Sequence, residues 1–115
     1  MSRRVQRLNQ LIKQEISQII LREVDFSKDV LVTVTRVDTS PNLIQSKIYI
    51  SAIPEENISD VLKTLRRSIY NSQQKLNKRL KMRAIPKIIF MEEKETREAA
   101  RIEELLEEIK NKNNN

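Results

Sequence analysis

Any chemistry this chain performs falls to carboxylates, amines and guanidinium groups, because its 115 residues include no His and no Cys. Without imidazole or thiolate there is no ready proton acceptor near neutral pH, no cysteine nucleophile and no disulfide framework, and the usual zinc ligands are missing. The densest carboxylate group is the run EELLEE at residues 103–108. On a helix these four acids share an exposed face with basic neighbours, and no His or Cys completes a ligand set, so a solvated surface is expected rather than a metal site. Glycine is absent as well, which excludes the glycine-rich loops that cradle phosphates in nucleotide-binding enzymes. Asp38, Thr39 and Ser40 lie together, but Ser and Asp beside a proline read more simply as turn formers. No catalytic triad can be assembled, and neither an enzyme nor a bound cofactor or metal is expected.

The opposite holds for positive charge. The stretch KTLRRSIYNSQQKLNKRLKMRAIPK, residues 63–87, holds nine Lys or Arg and not one Asp or Glu. Cations without intervening acids repel one another on a merely solvated face, whereas phosphates would neutralise them. Lys63, Arg66, Arg67, Lys75, Lys78, Arg79, Lys81 and Arg83 are therefore the candidate nucleic-acid contacts. The whole chain has a formal net charge of +6 and a pI of about 9.8, and residues 1–92 carry the excess, with 17 basic against 9 acidic residues. Aromatic platforms are scarce, comprising only Phe26, Tyr49, Tyr70 and Phe90. Recognition is thus expected to rest on the phosphate backbone and on shape rather than on stacked bases, with Tyr49 and Tyr70 read as packing residues.

The elements that position these cations follow from apolar spacing. Val5, Leu8, Ile12, Ile16, Ile19 and Ile20 recur every three or four residues, which predicts an amphipathic helix capped by Ser2 and ending near Glu23. VLVTVTRV at 30–37 is rich in β-branched residues, and IQSKIYIS at 44–51 alternates, with Ile44, Ser46, Ile48 and Ile50 on one side. DTSPNL between them predicts a hairpin connection. Asn57 or Ser59 then offers a cap for a helical stripe through Val61, Leu62, Leu65, Ile69, Leu76 and Leu80, interrupted by the polar cluster YNSQQ at 70–74, which predicts two helical segments with a kink near residues 68–72. Pro86 is expected to stop this helix. KIIFM at 87–91 predicts a third strand, with Ile88 and Phe90 on one face.

Beyond residue 92 the composition shifts to charge. The chain is read as one domain over 1–92 and a tail over 93–115, in which Ala99, Ile102, Leu105, Leu106 and Ile109 keep helical spacing and NKNNN forms a disordered end. No apolar run approaches the roughly 20 residues of a membrane span, and the first ten residues lack the apolar core of a signal peptide. A soluble, cytoplasmic protein is expected.

With the order helix, strand, strand, helix, helix, strand established, particular stretches become specific. RVQRLNQLIKQEISQII, VTVTRVDTSPNLIQSKIYIS and LNKRLKMRAIPKIIF resemble the ribosome-binding factor A family, most closely through the spacing of Leu76, Leu80, Arg83, Pro86 and Phe90. RIEELLEEI at 101–109 is similar to the family's closing pattern, so the resemblance covers residues 3–109. It implies an α+β, KH-like domain of the second type, a three-stranded sheet with helices on one face. In that family an interrupted helix, usually marked Ala-x-Gly, replaces the Gly-x-x-Gly loop of ordinary KH domains. Here those positions read Ser68, Ile69 and Tyr70, a departure that leaves two forms open: a break displaced to Asn71 with Ser72 capping the next helix, or a shallower one. The resemblance also implies a non-catalytic role on the free 30S subunit or its precursor. There the family supports maturation of 16S rRNA at its 5′ end and growth in the cold, binding near the decoding region and apart from translating 70S ribosomes. A monomer working beside other assembly factors is implied, with no membrane partner.

Two other readings use the same residues. A general nucleic-acid-binding module would show the same charge without subunit preference, and a protein-interaction module would work through the tail helix at 102–109.

Overall fold

The computed structural model describes residues 2–94. The expected tail helix and the Asn-rich end lie outside the described residues. Helix α1 runs Arg3–Glu23, and Ser2 caps it as expected: its Oγ accepts a hydrogen bond from the Val5 N–H at 3.2 Å, supplying an acceptor to a helix start that has none of its own. The stripe from Val5 to Ile20 is buried. Strand β1, Leu31–Thr39, and strand β2, Gln45–Ile53, pair antiparallel, and strand β3, Lys87–Glu92, joins β2 in parallel, giving the order β1-β2-β3. Parallel neighbours cannot be joined by a tight turn. The crossover consists of a 3₁₀ turn at Glu55–Asn57 and two helices, α2 at Ile58–Arg67 and α3 at Ile69–Arg79. Asn57 holds the cap position of α2 but makes no side-chain capping bond.

The register of β1 contains an irregularity. Val34 pairs with Ile50 and Arg36 with Tyr49, so Thr35 is an extra residue. This bulge shifts the alternation by one, which is how Val34 before it and Val37 and Thr39 after it all become buried; strict period-two alternation would turn the last two to the opposite face. In β2, Ser46, Ile48, Ile50 and Ala52 are buried, and the Ser46 and Thr39 hydroxyls satisfy each other at 2.7 Å. Ile44 departs from expectation. It is 67% exposed because β2 begins one residue later, and its carbonyl accepts from the Lys87 N–H at 2.9 Å, opening the parallel pairing.

The hairpin turn works without glycine. Leu43 takes φ 61°, in the left-handed region where an L-residue pays a steric cost of about 1 kcal/mol. Its N–H donates to the Ser40 carbonyl at 2.8 Å, Asn42 Oδ1 accepts from the Ile44 N–H at 3.1 Å, and Leu43 packs on the core. One apolar cluster unites the α1 stripe from Leu8 to Ile20 with Val61, Leu62 and Leu65 of α2, Leu76 of α3 and Ile48, Ile50, Ile88 and Phe90 of the sheet. The helices thus share one face of a mixed sheet, in the expected element order. This is an α+β, KH-like domain.

Candidate nucleic-acid interface

The break between α2 and α3 is one residue long. Ser68 stands between them at φ −99° and ψ 12°. Its N–H donates to the Leu65 carbonyl at 3.2 Å, and its hydroxyl lies 3.2 Å from that carbonyl and 3.3 Å from the carbonyl of Thr64. A serine side chain therefore takes up acceptors that a helix end leaves without partners. Because φ is negative, no left-handed residue and no glycine are needed. The displaced break does not form: Asn71 and Ser72 lie inside α3, and the Ser72 N–H donates to the Ser68 carbonyl at 2.9 Å. Ser72 is buried between Ile69 and Leu76 on the helical stripe. The polar cluster that looked like an interruption holds one core position of small volume.

The eight candidate cations are spread over two helices and a loop. Lys63, Arg66 and Arg67 ride on α2, and Lys75, Lys78 and Arg79 on α3. Helix α3 ends at Arg79, where Leu80 turns extended and buried, well before Pro86. Lys81 and Arg83 therefore belong to the loop that leads into β3, not to a helix stopped by proline.

Three of the eight already have partners within the fold. Arg66 Nη2 donates to the Phe90 carbonyl at 3.0 Å. Lys75 pairs with Glu23 of α1. Arg79 Nη1 lies 3.1 Å from Glu15 Oε2 and 3.0 Å from Gln18 Oε1. These last two pairs tie α3 to α1 and are partly exposed, so each contributes about 0.5 kcal/mol. Their larger effect here is to compensate two positive charges. Gln73 reinforces the arrangement: its Oε1 accepts from the Ile88 N–H at 2.8 Å and its Nε2 donates to the Pro86 carbonyl at 3.2 Å. Together Gln73 and Arg66 occupy polar groups along the outer side of β3, which an edge strand otherwise presents unpaired. Lys63, Arg67, Lys78, Lys81 and Arg83 are exposed, with no ion pair or hydrogen bond to the described residues.

Between the two groups of exposed cations lies a set of exposed uncharged side chains. Tyr70, Asn71, Gln74 and Asn77 all face solvent. Tyr70 corrects an expectation, since it is 72% exposed rather than packed. Helical spacing contains the signal: Tyr70 is one residue past Ile69 and two before Ser72, on the side away from the buried stripe. Tyr49 does pack, with the Arg36 guanidinium 3.7 Å over its ring.

Sequence reasoning also missed Glu93. It is 5% exposed, its N–H donates to the Ile50 carbonyl at 2.9 Å, and its Oε2 accepts from Thr35 Oγ1 at 2.7 Å and Arg36 Nε at 2.8 Å. This carboxylate anchors the β1 bulge from across the sheet. The one-residue slip in the Val34 to Val37 spacing was the available signal. Among the described residues no group of three or more Asp and Glu is placed to hold a metal ion, and no helix is long and apolar enough to cross a membrane.

Comparison with known proteins gives consistent results. The family model described as ribosome-binding factor A matches residues 4–106. A ribosome-binding factor A of Microcystis aeruginosa is 33% identical over 111 residues, covering 94% of this chain and 87% of its own. The crystal structure of ribosome-binding factor A from Thermus thermophilus superposes with a TM-score of 0.66 at 24% identity, over 76% of this chain and 93% of that one. A Thermus thermophilus ribosome-binding factor A homology model, fitted into a cryo-EM map of a 30S complex, gives a TM-score of 0.62 at 24% identity, over 74% and 90% of the two chains.

Proposed function

Because the chain belongs to the ribosome-binding factor A family, we propose that it is an assembly factor of the small ribosomal subunit, binding free 30S subunits or their precursors through 16S rRNA. The observation that carries this reading is the set of exposed cations without an ion pair to the described residues, Lys63, Arg67, Lys78, Lys81 and Arg83, along α2, α3 and the following loop. Arg66, Lys75 and Arg79, also counted among the contacts from sequence, act chiefly by holding the helices in place. The segment Ser68, Ile69, Tyr70, Asn71 and Ser72 sets the angle between the two groups. The structurally similar Thermus thermophilus protein fitted into a map of a 30S complex supports the choice of particle.

The protein acts without catalysis, as a cytoplasmic monomer beside other assembly factors. Its effect on rRNA requires only that it bind one conformation more tightly than another. Favouring a folded form of the 16S 5′ region supports end maturation, and this matters most in the cold, where incorrect RNA pairings are slow to dissolve. Residues 1–92, extended by the buried Glu93, supply the RNA-binding domain, and the rest of 93–115 acts as an accessory tail.

Sedimentation with purified 30S, 50S and 70S particles at low and moderate salt tests the proposal. Selective co-migration with 30S that partly survives salt is the expected result. Equal binding to all three particles that vanishes with salt would reduce the protein to a general polyanion binder.

A further inference from the structure

Tyr70 has no packing role to explain its type. It stands in the first turn of α3 with 72% of its surface exposed, at a position whose backbone is helical and makes no demand on the side chain. Exposure alone does not set it apart, since Leu21 and Ile44 are also exposed, but its surroundings are specific. Within α3, Tyr70, Gln74 and Lys78 recur every four residues and so share one outward face. Across the one-residue break at Ser68, Arg67 ends α2 three residues before Tyr70, and Lys63 lies one turn before Arg67. All five residues are exposed, as is Asn71 beside the ring. From Tyr70 to Lys78 the rise along α3 is about 12 Å. The stripe reads cation, cation, aromatic, amide, cation.

That order suits an unpaired stretch of RNA. Phosphates are held at both ends, while the middle offers a flat π-face and amide donors and acceptors where bases would lie. Duplex RNA has no free base face to offer Tyr70, and a peptide partner would not call for cations on both sides of the ring.

We propose that the Tyr70 ring stacks on an unpaired base of the bound RNA, with Asn71 and Gln74 hydrogen-bonding that base or its neighbour, and with Lys63, Arg67 and Lys78 holding the flanking phosphates. This rests on the RNA-binding reading above and adds a preference for single-stranded RNA that charge alone does not supply.

The chain has no Trp and two Tyr, so a Tyr49→Phe variant of the full chain makes Tyr70 the sole strong intrinsic fluorophore. The probes are purified 30S subunits, a mixed-sequence single-stranded RNA oligomer and its duplex form. Stacking predicts that the oligomer quenches Tyr70 emission and the duplex does not. Tyr70→Ala should weaken oligomer binding about ten- to a hundred-fold with an unaltered salt slope and an unaltered melting temperature. Tyr70→Phe should bind like the parent. If Tyr70→Ala binds normally while Arg67→Ala and Lys78→Ala weaken binding, stacking is wrong and the phosphate-contact reading stands. If none of these variants matters, both fall. Loss of 30S binding by Tyr70→Ala with full oligomer affinity would overturn stacking and assign the ring to a ribosomal protein surface.

Discussion

Arg79 and Lys81 stand two positions apart, yet reversing the charge of each acts on a different part of the molecule. Arg79→Glu would set a carboxylate against Glu15, turning an attraction between α1 and α3 into a repulsion. The expected cost is about 1 kcal/mol, read as a lowered melting temperature. The double variant Lys81→Glu and Arg83→Glu touches no described partner, so its melting temperature should stay near that of the parent while 30S binding weakens at least ten-fold in the sedimentation assay. Equal destabilisation by both changes would contradict the assignment of Arg79 to the fold and Lys81 to the ligand. Glu93 belongs to the first kind. Glu93→Ala removes the acceptor shared by Thr35 and Arg36, and urea denaturation should show a loss of about 2 kcal/mol.

At the scale of elements, the fit of α3 to the sheet depends on one small residue and one amide. Ser72→Leu would place extra volume at a buried position, with an expected loss of about 1–3 kcal/mol in a denaturation midpoint. Gln73→Ala would strand the Ile88 N–H at the strand edge, costing about 1–3 kcal/mol and raising the tendency of β3 to pair between molecules. Neither role was visible in the sequence, where both residues sat in a polar cluster that looked like a break. What was legible had strong periodicity: the α1 stripe, the alternation through Ser46, Ile48 and Ile50, and the two faces of β3. The places where reading failed share a physical cause. The end of α3, the exposure of Ile44 and the compensation of Lys75 and Arg79 are all decided by tertiary neighbours, which local spacing does not encode. The position of the basic segment was readable, but telling the cations held within the fold from those without a described partner required knowing that α1 brings Glu15 and Glu23 against α3.

For the molecule as a whole, that division sets a number that salt titration can measure. Five phosphate contacts on single-stranded RNA give a log-log slope of about −3.5, whereas eight would give about −5.6. A slope near the smaller figure is expected for the oligomer, and one near the larger would return Arg66, Lys75 and Arg79 to the interface. A chain ending at Lys94 retains Glu93 and every described strand, so it should melt cooperatively and keep the same slope. A non-cooperative melt would make the tail part of the domain.

The parallel pairing of β2 with β3 has a consequence in time. The β1–β2 hairpin closes across a short turn, but Gln45 meets Lys87 only after the 3₁₀ turn, α2 and α3 have been made. Loop closure over such a distance is slower than hairpin formation. During synthesis the basic helices therefore leave the ribosome before the strand that anchors them, and Arg66 and Gln73 have nothing to hold until Phe90 and Ile88 follow. The basic helix pair therefore reaches its final position late, when the last strand docks.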